Sequence, residues 1–95
     1  MASEVKGTII SNDLAKDAVI RTVRYKIGEI NQKLNDIYES MRYFERKYGM
    51  KTGEFYKKFV DGALGDDMDF FEWKASAEIY GELKEEKRVL IGAIE

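Results

Sequence analysis

The 95-residue sequence predicts an all-α fold: a long, coiled-coil-like helical hairpin with a short helix at its turn, paired with a second copy as a dimeric four-helix bundle. Three observations predict it. Apolar residues recur at alternating spacings of three and four, without a slip, from Ile20 to Tyr48. Proline is absent, so nothing forces a long helix to break. A chain this short buries a modest fraction of its surface, and association is a natural way to complete its core.

The N-terminal stretch 1–11 contains Val5, Thr8, Ile9 and Ile10 and reads as an extended arm or short strand. Ser11-Asn12-Asp13 then offers N-cap chemistry for a helix spanning 12–49. Within it, Ile20, Ile27, Leu34, Met41 and Tyr48 occupy heptad position a, and Val23, Ile30, Ile37 and Phe44 occupy d. Gly28 falls at b and the heptad keeps its phase through it, so it reads as a tolerated helical glycine. A helix from Leu14 to Tyr48 runs to roughly 50 Å. That is longer than a globule of this size, so it is an extended arm or is covered by a partner. Residues Ile20, Val23, Ile27, Ile30, Leu34, Ile37, Met41 and Phe44 are therefore the expected partner or dimer seam.

Gly49 suits the position after the helix end, and Thr52 reads as the cap of a short helix over 52–62. Gly62 and Gly65 mark a turn. The last helix, 66–94, opens on Asp66, Asp67, Asp69 and Glu72, which suit the positive end of a helix dipole. Its seam is weaker than the first. Trp73, Tyr80, Lys87 and Ile94 fall at one site, and Ser76, Leu83 and Leu90 at the other. It reads as the outer helix folding back on the first. Tyr48, Phe55, Phe59, Phe70, Trp73 and Tyr80 gather around the turn and are the expected hairpin-end core, since aromatics dominate core energetics.

Composition narrows the chemistry. There is no cysteine and no histidine, which removes disulfides, the usual nucleophile–base pairs, and zinc sites. Asp61, Asp66, Asp67, Asp69 and Glu72 carry oxygen ligands that suit Ca²⁺ or Mg²⁺, but they lack the spacing of a calcium-binding loop. Capping is the stronger reading. No cofactor and no enzymatic activity are expected. No apolar run reaches the ~20 residues of a membrane span, and the first residues lack the apolar core of a signal peptide. The chain reads as cytoplasmic, with no membrane partner.

Residues 1–51 carry a net +3 and residues 52–95 a net −5. The two halves therefore attract, within a chain or between chains. Glu82, Glu85 and Glu86 are placed to meet Lys26, Lys33, Arg42, Arg46 and Lys47. The arm, with Lys6, Arg21 and Arg24, is the candidate nucleic-acid contact, because β-arm repressors insert paired strands into the major groove. The uninterrupted helix after it departs from that pattern.

The run Lys47-Tyr48-Gly49-Met50, then Phe55, Phe59, Gly62-Ala63-Leu64-Gly65-Asp66-Asp67 and Asp69-Phe70-Phe71-Glu72-Trp73, resembles a family of small uncharacterised prokaryotic helical proteins. Members are often regarded as antitoxin-like components of toxin–antitoxin pairs. The resemblance covers about forty residues, from Phe44 to Leu83. It implies a non-enzymatic interaction protein that packs a helical seam against itself or against a cognate toxin. Every part of the signature also has an architectural reading, which leaves two other functions open: a structural coiled-coil scaffold, and a DNA-binding regulator using the N-terminal arm.

Overall fold

The computed structural model describes the backbone of residues 2–95 and the side chains of residues 12–95. Among the described residues the structure is helical, with no strand: α1 spans Ala2–Tyr48, α2 Thr52–Val60 and α3 Met68–Ile94. Forty-seven residues at about 1.5 Å each give roughly 70 Å, and α1 accordingly sets the long dimension of a 69 × 22 × 22 Å molecule. Helix α3 returns antiparallel along α1. Tyr48 meets Phe70, Phe44 meets Trp73, and Tyr38 meets Tyr80, so positions rise on one helix as they fall on the other. The end of α3 lies beside Lys16, Val19 and Ile20.

Helices α2 and α3 are each two residues shorter than the expected 52–62 and 66–94, and the start of α1 differs more. The stretch 1–11 was expected as an arm or strand, but the backbone is helical from Ala2, and Ser11-Asn12-Asp13 lies inside α1 rather than capping it. Adding a residue to an existing helix gains a hydrogen bond without a new nucleation cost. No proline interrupts the run, and a short β-branched segment with no strand to pair with has no competing ladder.

The closed end is shaped by two left-handed glycines. Gly49 (φ 68°) ends α1, its amide donating to the Glu45 carbonyl at 2.8 Å. Gly62 (φ 76°) ends α2, donating to the Phe59 carbonyl at 3.1 Å. Both conformations favour a residue without Cβ. Asp67 caps α3 by accepting from the Asp69 amide at 2.8 Å. The core lies at this end: Met41, Phe44, Phe55 and Trp73 are buried, with Ile37, Tyr48, Phe59, Phe70 and Tyr80 packed around them. Trp73 is its centre, stacked on Phe55 at 3.9 Å between ring centroids and 5° between planes, and on Phe44 and Tyr48 at 5.7 and 5.9 Å.

Candidate interaction surface

The seam residues face α3, because a 3-4 repeat keeps one stripe of α1 turned the same way. Their burial is uneven. Met41 and Phe44 are buried at the closed end, where α2 adds a third wall. Toward the open end only two helices are present. Among the described residues there, Ile30 alone is fully buried, while Ile20, Val23, Ile27 and Leu34 are half-buried. On α3, Tyr80, Leu83, Leu90, Ile91 and Ile94 are likewise half-buried. Two helices can close a stripe along their line of contact and leave its margins wet, which is the pattern observed. At the level of the last turn of α3, Val19 is more than half exposed, and so is Leu14.

Polar groups lock the closed end. The Glu45 carboxylate accepts from the amide and the hydroxyl of Thr52 at 2.8 and 3.0 Å, and the Thr52 hydroxyl accepts from the Trp73 indole N–H at 2.9 Å. Thr52 was expected as the cap of α2. The cap position belongs to Lys51, which makes no side-chain capping bond, and the carboxylate seven residues upstream of Thr52 does that work. Burial acts to raise the Glu45 pKa, but the Thr52 bonds, with Lys51 and Arg42 nearby, outweigh it and hold it below the usual value.

Asp69 forms the second lock, accepting from the Lys47 ammonium and the Tyr48 phenol, each at 2.6 Å. Lys47 first and Tyr48 second lower its pKa, and the same carboxylate raises theirs. Tyr56 donates to Glu78 at 2.9 Å, tying α2 to α3. None of these pairs was found from spacing. Each joins residues on different elements, so no helical periodicity marks them.

The expected pairing of Glu82, Glu85 and Glu86 with the lysines and arginines of α1 does not occur within the chain. Glu85 binds Arg88 on its own helix, Arg42 pairs with Glu45, and Lys47 takes Asp69. The reason is geometric. Local i,i+3 partners are at hand on the same surface, whereas Glu86 and the α1 lysines sit on the side of the hairpin rather than between the helices.

Of the candidate nucleic-acid contacts, Lys6 lies outside the described side chains. Arg21 and Arg24 are exposed on α1. Arg21 is turned back on its own helix, its Nε 3.4 Å from the Asp17 carbonyl oxygen. They stand on a continuous helix, not beside a β-arm. In the acidic turn, Asp67 caps and Asp69 is engaged by Lys47 and Tyr48, and among the described residues no three carboxylates converge as a metal site would require. Among the same residues no helix is long and apolar enough to cross a membrane. Comparison with protein families, curated proteins and solved structures finds no match to this chain.

Proposed function

We propose that this chain is a non-enzymatic helical interaction protein of antitoxin type, which acts by completing its α1–α3 seam against a second helical surface, either its own copy or a cognate toxin. The observation that carries the reading is the burial gradient along the seam. At the closed end α2 makes a third wall and the seam residues Met41 and Phe44 are buried. Toward the open end the same heptad continues, yet around the buried Ile30 the residues Ile20, Val23, Ile27 and Leu34 are only half-buried. Apolar margins of that extent favour a further layer of helix, because each side chain removed from water contributes on the order of 1 kcal/mol. The antitoxin assignment within that class rests on the Lys47–Trp73 signature.

The test is to purify the protein alone, measure its mass at micromolar concentration, and co-express it with the product of any adjoining small reading frame. The expected result is a self-associated protein, or a stable complex that relieves growth arrest caused by the neighbour. A cooperatively folded monomer with no such neighbour contradicts the proposal.

A further inference from the structure

The two flanks of the hairpin differ in a way that selects a partner. In an antiparallel pair of helices, heptad positions e of both helices line one side of the seam and positions g line the other. On the e side, Asn31 and Leu34 of α1 share a groove with Lys84, Lys87, Arg88 and Ile91 of α3. Glu85 is the acid that neutralises one of those cations, through Arg88. Two copies meeting there would bring together two grooves of net positive charge.

The g side is of mixed sign. Its α1 column carries Lys26 and Lys33, and its α3 column carries Glu72, Ile79, Glu86 and Ala93. That these columns share one side is seen at the open end, where Val19 and Ala93, both at g, line one groove. Ile79 and Val19 are 45% and 58% exposed. Among the described residues, Lys26, Lys33, Glu72 and Glu86 take part in no ion pair or side-chain hydrogen bond within the chain. The structure thus holds a basic column and an acidic column side by side, unpaired, with apolar residues between them.

We infer that this flank is the docking surface for a second copy of the chain, set by a two-fold axis running along the hairpin. The inference rests on the reading above and specifies one of its partners. Such an axis keeps every residue at its own height and places α1 of one copy over α3 of the other. The helices then alternate in direction around a four-helix bundle. Between the Tyr38–Tyr80 and Ile20–Ile94 levels, Glu86 lies at a height between Lys33 and Lys26, so each copy's acid falls between its partner's two lysines. The match is self-complementary and occurs twice, as an isologous interface requires. Ile79, Ala93 and the g-side margins of the half-buried seam are covered by the same step.

The test uses charge reversal at the exposed Lys33, Glu72 and Glu86 and the half-buried Lys26, with circular dichroism confirming that each variant remains helical. K26E/K33E alone and E72K/E86K alone are each expected to weaken self-association by about tenfold or more, since juxtaposed like charges oppose docking. Mixing the two variants is expected to restore a heterodimer of wild-type affinity. A wild-type dimer that both reversals leave intact overturns this interface but leaves the interaction reading standing. A monomeric wild type that captures a cognate toxin does the same. A monomeric wild type with no partner overturns both.

Discussion

Thr52 connects three parts of the closed end through one hydroxyl, which donates to Glu45 on α1 and accepts from Trp73 on α3. Replacing it with valine keeps the shape and strands the buried indole N–H. Thr52→Val should therefore cost about 1–3 kcal/mol, read as a lowered denaturation midpoint at constant slope. An unchanged midpoint would show that water satisfies the indole equally well. Asp69 and Glu45 supply the pH dependence. Both carboxylates are lowered in the folded chain, so their contribution is complete above their unfolded pKa values and is lost as pH falls through the folded ones. The melting temperature should drop on acidification across that window, and the drop should be shallower in Asp69→Asn. Equal acid limbs in the two proteins would remove Asp69 from this role. The aromatic partners of this end were legible in the sequence, because Phe55/Phe59 and Phe70/Trp73 fall at helical spacing. The polar locks were not. A carboxylate seven residues before the amide it caps, across a turn, leaves no periodic trace.

At the scale of elements, α1 was legible because one heptad runs unbroken from Ile20 to Tyr48 and a sequence repeat maps directly onto a helix face. Its start was not legible, since Ser11-Asn12-Asp13 has the chemistry of a cap and β-branched Thr8, Ile9 and Ile10 favour a strand. Local preference gave way to propagation of an existing helix. Helix α3 was harder to read because its apolar residues occupy more than one face: Trp73, Leu83 and Leu90 turn toward α1, while Met68, Phe71, Ile79 and Val89 are exposed. Gly28 gives a clean test of the α1 reading. It is helical, with nothing within 4 Å of where a Cβ would sit. Gly28→Ala should stabilise the protein by about 1 kcal/mol, measured by thermal unfolding at fixed chain concentration. A loss of stability would place a close neighbour at that position. Ile30, fully buried where only two helices meet, should respond oppositely, with Ile30→Ala costing about 2–5 kcal/mol. A cost well under that range would mean the two-helix stretch is loosely packed.

At the scale of the whole molecule, the hairpin is a wall with a closed, aromatic end and an open end whose apolar margins face water. A two-helix arrangement cannot bury both sides of a heptad stripe, and a 69 Å rod only 22 Å across has little interior in which to hide the remainder. The proposed association rests on that shape more than on any single residue, and in that proposal the unpaired columns of opposite charge select which side is used. The sequence carried the opposite charges of the two halves. It did not show that Lys26, Lys33, Glu72 and Glu86 make no ion pair within the chain, because that depends on where α3 lies around α1. The most direct measurement is sedimentation equilibrium of the purified wild-type protein across micromolar concentrations. The account predicts a reversible species of twice the 11.0 kDa chain mass, dissociating on dilution with loss of helicity at the open end. A fully helical 11.0 kDa species at every concentration, with no partner that binds it, would contradict it.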